Sequence, residues 1–365
     1  MWQRRAFLKA AGMGFAASLL PRRAEALERA ELIFASSIQK RAGGFGAALV
    51  NEAGAVISTI ELPDRGHDIT FSPTTGQGVV FARQPGTFAV IFDPRGAVKP
   101  QTLTSIEGRH FFGHGAFSPD GKLLYATEND FDNARGVIGI YDVAGGYKRI
   151  GEFDRCGTGP HEMLLMPDGE TFVVANGGIE THPDYGRTEL NLETMDPSIA
   201  FVDRRSGDLI GQLRLDGGLH QLSIRHMAFD HQGRVWFGCQ FRGPAVDRPQ
   251  LVGYATRDGE IRLIELPRAT LTELRNYIGS VAASADGGLI GVSSPEGNTI
   301  LAIDPDTATV VATLGLERGC GIAPDSVGLL ASSGMGALDG LAGSPAPLTT
   351  FELNFDNHLR LLKAV

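Results

Sequence analysis

The sequence predicts an all-β fold, a seven-bladed β-propeller whose four-stranded blades surround a central channel. Three observations predict it: a repeated strand–turn–strand unit, a second recurring strand that ends in Asp or Asn, and a composition rich in turn-forming residues. With 48 glycines and 19 prolines in 365 residues, and few runs of helical period, short strands joined by turns are favoured. Six or eight blades remain compatible with the spacing.

The strand–turn–strand unit is clearest in RHFFGHGAFSPDGKLLYATEN, residues 109–129. Asp120-Gly121 separates two apolar runs, which is a strong hairpin signal. Six such units occur along the chain, and they recur at roughly 40–50 residues, the length of a propeller blade. The residues that open them are His67, His114, His161, His226, Ser280 and Cys320.

A second pattern falls between these units: an apolar strand ends in Asp or Asn, and a turn and another short strand follow. The strand ends are Asn51, Asp93, Asp142, Asp203 and Asp304. Together the two patterns give four strands per repeat, and a unit of that size must pack against neighbours around an axis to bury its faces. Residues 31–62 predict a seventh, partly built blade, and residues 349–362 predict strands that close it.

Two segments interrupt the repeat. Residues 177–198, GGIETHPDYGRTELNLETMDPS, form a polar insertion after an inner strand, and loops of that length are often functional. Residues 338–347 are rich in Gly, Ala and Pro and predict a flexible loop.

The N-terminal residues 1–26 resemble a twin-arginine signal peptide. Arg4-Arg5 precedes a short apolar stretch, and Ala24-Glu25-Ala26 supplies small residues for cleavage. The alternative is a short basic helix of the fold. We expect export to the periplasm by the twin-arginine pathway, with residues 27–365 as a single propeller domain and no membrane span after signal removal.

The charge and cysteine content exclude several classes of protein. A formal net charge of −9 argues against a general nucleic-acid binder, which would present a basic face. Three widely spaced cysteines, Cys156, Cys239 and Cys320, allow at most one disulfide and form no CxxC motif. We expect a monomer, with Cys320 acting as a small buried apolar side chain rather than a nucleophile.

The four histidines that open repeat units are the main functional signal. In a propeller the innermost strands line the channel, so we expect His67, His114, His161 and His226 to converge on one axis. The chain has only nine histidines, and neutral imidazole suits iron, copper or, less well, zinc. We expect a transition-metal site, with His182 of the insertion folding over the mouth as a further ligand. The alternative is a structural role, in which each histidine caps a carbonyl of the next blade.

Polar residues near the same channel mouth supply further candidates. Glu128 and Glu162 could act as carboxylate ligands or as a general base, or could form salt bridges with Arg109 or Arg225. The arginines among the remaining candidates would attract an anion or a carboxylate ligand. The residues assigned to cofactor binding are Arg83, Arg109, Asn129, Asn176, Arg225 and Gln240. His110 could pack behind the ring, and His358 is expected at the surface.

Several segments of the chain resemble domain-of-unknown-function family 1513. They are RRAFLK, GHDITFSP, FFGHGAFSPDG, GTGPHEMLLMPDG and the insertion. That family comprises exported periplasmic propellers that occur with imelysin-type peptidase-like proteins and dihaem oxidoreductases of metal acquisition. The resemblance implies a role in iron or copper handling and imelysin-type proteins as partners. It assigns no catalytic residues.

Two more distant resemblances lead to different functions. The histidine-rich centre is similar to the propeller of nitrous oxide reductase, although this chain has no cupredoxin domain. GPHEMLLMPDG is similar to a repeat of lactonase-type propellers. We therefore expect a metal-binding accessory protein rather than an enzyme, with a lactonase-type hydrolase of a small cyclic ester and a protein-interaction platform as the alternatives.

Overall fold

The computed structural model describes residues 30–344, 349–350 and 353–362. Seven antiparallel sheets are arranged as the blades of a propeller, which confirms the predicted fold. The twin-arginine segment lies outside the described residues. Within these residues no helix is long and apolar enough to cross a membrane.

Blades 2 to 7 each use four consecutive strands, and their innermost strands contact one another in succession around the channel. The innermost strands are Gly66–Phe71, Arg109–Phe117, Pro160–Leu165, Leu222–Phe229, Ser280–Ala283 and Gly319–Pro324. The second strands are Gly78–Ala82, Leu123–Asp130, Thr171–Asn176, Val235–Phe241, Ile290–Ser294 and Leu329–Ser333. The third strands are Phe88–Phe92, Arg135–Asp142, Ser198–Asp203, Val252–Ala255, Thr299–Asp304 and Ala337–Leu341. The outermost strands are Gln101–Thr104, Lys148–Phe153, Leu209–Leu213, Ile261–Leu263, Thr309–Gly315 and Thr349–Thr350.

Blade 1 joins the two ends of the described chain. Ile33–Lys40, Phe45–Asn51 and Val56–Leu62 form its outer strands. Its innermost strand comes from the C-terminal region in two pieces, Leu353–Phe355 and Arg360–Leu361, both paired with Ile33–Lys40. The prediction of a seventh blade completed from both ends is thus confirmed.

Among the described residues, helical structure is confined to the connections. An α-helix, Arg268–Leu274, links blades 5 and 6. The same part of the chain has 3₁₀ turns at Phe131–Asn133, Pro183–Tyr185, Leu192–Thr194 and Gly217–Leu219. Two of them lie within the polar insertion of blade 4, whose strand resumes at Ser198.

Apolar side chains fill the spaces between adjacent blades. Phe81 of blade 2 packs edge-on against Phe111 of blade 3 with ring centroids 5.7 Å apart, and Tyr125 and Phe172 join blades 3 and 4 at 4.7 Å. The cysteines are free and buried, and burial raises the pKa of Cys320 to about 12, which keeps its thiol protonated and unreactive at neutral pH.

The prediction of a flexible loop at 338–347 is wrong for its first part. Ala337–Leu341 forms the third strand of blade 7 and pairs with Leu329–Ser333. The small residues of this segment suggested a loop, but a tightly packed strand also requires small residues. A Cβ on Gly340, for example, would lie 2.5 Å from the Ser344 carbonyl oxygen. Residues 345–347 lie outside the described part of the chain.

Candidate metal centre

Bulges in the innermost strands aim the opening histidines into the channel. The pairing register of blade 2 shifts between Gly66 and Ile69, which leaves His67 and Asp68 unpaired. Equivalent shifts occur around the opening histidines of blades 3, 4 and 5. A bulge re-aims side chains that a regular strand would point to opposite faces. Gly113, at φ +106° in the blade 3 bulge, has no room for a side chain because a Cβ would lie 2.5 Å from His67.

The four predicted histidines meet on the axis. Ring centroids are 4.9 Å apart for His67 and His114, 4.9 Å for His114 and His161, and 4.8 Å for His161 and His226. All four side chains are buried. We call these residues, with His358, the axial histidine cluster.

His358 is buried on the axis, so the expectation that it lies at the surface is wrong. Its ring centroid is 4.7 Å from those of both His67 and His226, and it completes the cluster from blade 1. The cause is the closure of the propeller: His358 lies between the two pieces of the innermost strand of blade 1 and therefore occupies the same position as the other opening residues.

A buried carboxylate layer lies against the cluster. Arg360 donates to both carboxylate oxygens of Asp68, at 2.7 and 2.6 Å, and to Glu162 at 2.7 Å. The other oxygen of Glu162 accepts from the backbone N–H of Met227 at 2.7 Å. Asp68 and Glu162 therefore already have a permanent cation, and the guanidinium of Arg360 occupies the position that a metal ion would take between them.

Carboxylates set the orientation of two cluster histidines. His114 Nδ1 lies 3.0 Å from Asp68, and His67 Nδ1 lies 3.3 Å from Asp356. An ionised carboxylate only accepts, so Nδ1 of each histidine carries the proton and Nε2 keeps its lone pair. This carboxylate–histidine arrangement is typical of the shell that supports metal ligands.

Five ring nitrogens of the axial histidine cluster have no hydrogen-bond partner among the described atoms. They are the buried Nε2 atoms of His67, His114, His226 and His358, and Nδ1 of His226 is unpartnered as well. A buried polar atom without a partner costs about 1–3 kcal/mol. Several such atoms facing one axis indicate a position that a ligand fills.

His161 differs from the rest of the cluster. Its Nδ1 lies 3.4 Å from the guanidinium of Arg225, which can only donate, so this nitrogen accepts. A neutral His161 then carries its proton on Nε2. Its side chain is part of the cluster, but its tautomer is opposite to that of His67 and His114.

Burial lowers the pKa values of four cluster histidines. It lowers the pKa of His67 to about 3, and it holds the pKa values of His161 and His358 well below 6.5. The pKa of His226 is lowered for the same reason. Burial opposes ionisation of Glu162 as well, yet His226 and Arg360 lower its pKa to about 2. At neutral pH these four histidines thus offer uncharged nitrogen atoms beside an ionised Glu162.

The metal-free protein is expected to lose stability in mild acid. Below pH 6.5 the unfolded chain gains protons on His67, His161, His226 and His358, whose pKa values burial lowers in the folded protein, so the free energy of unfolding falls as the pH falls. Each such histidine contributes about 1.4 kcal/mol per pH unit. Below pH 4.5, Glu162 adds to the same trend. Denaturant unfolding at pH 8, 6 and 5 measures the slope, and a curve that is flat or rises towards pH 5 would contradict the neutral cluster.

Three overlapping groups, with one ligand atom from each residue, are compact enough to hold a metal ion. Two metal-sized groups contain histidines alone: the ligand atoms of His67, His114 and His161 lie within 4.8 Å of one another, as do those of His114, His226 and His358. His114 belongs to both. The third group, Asp68, His114 and Glu162, includes the two carboxylates that Arg360 engages.

Three of the predicted polar residues lie at the mouth beside the cluster. Arg83 donates to Asp356 at 3.1 Å, Arg225 reaches His161, and Gln240 lines the same pocket. Gln240 is held by Arg242, which donates to its side-chain oxygen at 2.8 Å.

Other predicted residues lie away from the cluster. Arg109 pairs with Asp130 at 2.6 Å, in blade 3. Asn176 donates to Ser198 at 3.1 Å and anchors the base of the insertion. The side-chain nitrogen of Asn129 lies 3.0 Å from His110 Nε2, so each of these two side chains has a hydrogen-bond partner outside the axial histidine cluster. This agrees with the expectation that His110 packs behind the cluster.

Glu128 and His182 are also remote from the cluster. Glu128 is fully buried between strands of blade 3, where it bonds Tyr141 and Arg149, not Arg109 or Arg225. His182 lies on the insertion, where its ring contacts Phe131 at 5.0 Å, and no described contact joins it to the cluster.

The channel continues past the carboxylate layer to the opposite face. A cavity of about 390 Å³ opens there, with Asp68, Glu162 and Arg360 at its inner end and mostly apolar walls. The cluster therefore lies between two openings: the mouth on the insertion side and this larger cavity.

Sequence reasoning missed His358, Asp68, Asp356 and Arg360. A signal for Asp68 was present, because His67-Asp68 and His161-Glu162 place an acid directly after the histidine of two units. The other three lie in NFDNHLR, within the segment predicted to close the propeller. Treating that segment as one more opening strand would have placed His358 on the axis.

Solved structures with the same fold are distant in sequence. A chain of "Kuenenia stuttgartiensis Hydrazine Synthase" is 14% identical, with a TM-score of 0.57 over 81% of this chain and 91% of that chain. A chain of "Crystal structure of Nidogen/Laminin Complex" is 10% identical, with a TM-score of 0.52 over 91% of this chain and 99% of that chain. At these identities the likeness shows the fold alone.

No curated protein matches the sequence. A family model described as "Protein of unknown function (DUF1513)" matches residues 60–362, which include all of blades 2 to 7 and the closing strand with His358. The chain therefore belongs to the DUF1513 family.

Proposed function

We propose that this propeller binds a transition-metal ion through the axial histidine cluster and serves as a periplasmic accessory protein of iron or copper acquisition. One observation carries the proposal: buried imidazoles from five blades meet on the axis, and four of them leave Nε2 without a partner. A purely structural cluster would have paired these nitrogens with carbonyls of the neighbouring blade.

The donor set favours copper among the candidate metals. All nearby carboxylates are engaged by arginines, so the atoms left for a metal are imidazole nitrogens. Imidazole suits copper, zinc, iron and nickel, and divalent affinity in such sites is greatest for Cu²⁺. Iron binding would fit the resemblance equally, and the measurement below distinguishes the two.

The resemblance of residues 1–26 to a twin-arginine signal supports a periplasmic role within this proposal. That pathway carries folded proteins, so a metal could be loaded before export. Imelysin-type proteins of metal uptake are the partners that this role implies.

The hydrolase alternative gains no support from the site. Glu128 is enclosed by Tyr141 and Arg149, and both oxygens of Glu162 already accept hydrogen bonds. Glu162 lines the cavity of about 390 Å³, but both of its oxygens are held by Arg360 and the Met227 N–H, whereas a general base needs an oxygen within reach of the substrate proton.

Metal binding by the purified wild-type protein tests the proposal directly. Chelator-treated protein is dialysed against Cu²⁺, Fe²⁺ or Zn²⁺, and bound metal is measured by elemental analysis. We expect metal to bind with micromolar or tighter affinity and copper to bind most tightly. At a free-metal concentration 100 times Kd, the free energy of unfolding should rise by about 2.7 kcal/mol. A protein with no micromolar affinity for any of these metals would refute the proposal.

A further inference from the structure

Four arginines from three blades meet over the channel mouth. Arg83 comes from blade 2, Arg187 from the insertion of blade 4, and Arg225 and Arg242 from blade 5. All four line one pocket together with cluster histidines His67, His161 and His226. We call these four residues the arginine cluster.

The arginine cluster has more positive charges than counterions. Arg242 pairs with Glu189 at 3.0 Å, and Arg83 shares Asp356 with Arg65. Among the described residues no carboxylate lies within ion-pair distance of Arg187 or Arg225. Burial is the main cause that lowers the pKa of Arg187 and Arg225, and neighbouring arginines lower it further. A bound anion would offset the positive charge of this pocket.

Two arginine nitrogens in this pocket are buried without a partner. The Nε atoms of Arg83 and Arg225 are inaccessible to solvent and have no hydrogen bond among the described atoms. Nε of Arg242, by contrast, lies 3.0 Å from Glu189. Guanidinium groups offer donors in a planar fork that matches carboxylate and phosphate oxygens. Unused donors from Arg83 and Arg225 in one pocket form an incomplete anion site.

The size of the pocket limits the ligand to a compact group. Two adjoining pockets of about 30 Å³ each share Gln84, Phe112 and three of the arginines. A single water needs roughly 10–15 Å³ on this measure, so each pocket holds a group of a few heavy atoms. Tyr277 and Gln240 line one pocket and add polar groups at its edge.

We propose that the arginine cluster binds a compact oxyanion, a carboxylate or phosphate group, directly above the axial histidines. Arg187 and Arg225 are the principal contacts, since both lack a carboxylate partner among the described residues, and the insertion serves to bring Arg187 over the channel. The anion site is inferred from the positions of the arginines alone and does not depend on a bound metal.

The anion is coupled to the metal, and this part rests on the proposed function. The pocket touches both clusters, so a bound metal cation adds positive charge beneath an already positive mouth. An oxyanion in the pocket that touches both clusters offsets that charge. Because coupling between two binding sites is reciprocal, each ligand should increase the affinity of the other.

Anion binding is tested first on metal-free protein. Calorimetric titrations at low ionic strength use inorganic phosphate in one arm and acetate in the other, which distinguishes the two classes of oxyanion. We expect binding of at least one probe, weakened at least about tenfold in both Arg187→Ala and Arg225→Gln, since a hydrogen bond to a charged group contributes about 1.5–3 kcal/mol. Arg187 makes no described hydrogen bond or ion pair, so its replacement leaves the fold intact.

The matched control is Arg205→Gln, an exposed arginine that pairs with Glu170 on the outside of blade 4. It should bind the probe as the wild type does. The site is refuted if neither probe binds the wild type at millimolar concentration, or if Arg187→Ala and Arg225→Gln bind as tightly as the control.

A second titration measures coupling. Metal affinity is compared with and without a saturating amount of the probe, and we expect the probe to tighten it at least threefold in wild type and not in Arg187→Ala. Equal metal affinity in both conditions overturns the coupling. If the protein fails to bind metal, the proposed function is refuted. The anion site is then still tested by the titrations of the metal-free protein.

Discussion

Replacing Arg360 with methionine is expected to lower the free energy of unfolding by about 3–5 kcal/mol. Arg360 is the cation shared by Asp68 and Glu162, whose side chains are 6% and 2% exposed. Its loss leaves two buried carboxylates without a counterion. The residue also belongs to the C-terminal strand of blade 1, so its ion pairs with blades 2 and 4 tie the closure of the propeller across the axis.

Two further variants make this prediction specific. The triple variant Arg360→Met, Asp68→Asn, Glu162→Gln should recover much of the lost stability, because neutral amides do not need the cation. Arg65→Met removes a similar ion pair, to Asp356, but Arg65 is 44% exposed, so its loss should cost less than about 1 kcal/mol. Equal destabilisation in Arg360→Met and Arg65→Met, measured by denaturant unfolding, would contradict the buried role of Arg360.

Replacing His114 with alanine is expected to weaken metal binding at least about 100-fold, since loss of a supporting residue alone costs about 10–100-fold. His114 is the histidine common to both metal-sized groups, and Asp68 holds its Nδ1 at 3.0 Å. Metal affinity by equilibrium dialysis is the measurement. An unchanged Kd would place the metal elsewhere.

His226 and His110 provide a matched pair that separates binding from stability. Nε2 of His226 is unpartnered and its Nδ1 lies 3.6 Å from Glu162, so His226→Leu should weaken metal binding at a smaller cost in stability than His110→Leu. His110 is equally buried, but it is hydrogen-bonded to Phe111 and Asn129. His110→Leu should therefore cost about 1–3 kcal/mol of stability and leave metal affinity unchanged. The reverse pattern would assign the cluster a structural role.

Local patterns predicted most of the fold because each blade repeats the same short-range chemistry. Asp120-Gly121 illustrates this: Gly121 adopts φ +67° and its N–H bonds the Ser118 carbonyl, as a tight hairpin turn requires. The strand at Ala337–Leu341 was missed because small residues suggest a loop, and only contact with neighbouring strands selects the extended form.

The histidine positions were predictable for a related reason, whereas the charged layer was not. Rotational near-symmetry brings equivalent repeat positions together, so His67, His114, His161 and His226 could be placed on one axis. The sequence around each glutamate does not indicate its partner. Glu128 lies between strands and pairs with Arg149, whereas Glu162 lies at the channel and pairs with Arg360. Those partners are 21 and 198 residues distant in the chain, respectively.

Repeat spacing and turn chemistry are local properties, so the propeller and four of its five axial histidines could be read from the residues alone. The pairing that closes blade 1 became known only from the folded chain, as did the place of His358 in the cluster, the neutralisation of Asp68 and Glu162 by Arg360, and the approach of Arg187 to the mouth. Closing the ring brings together side chains from distant segments, and burial and charge pairing then select among them.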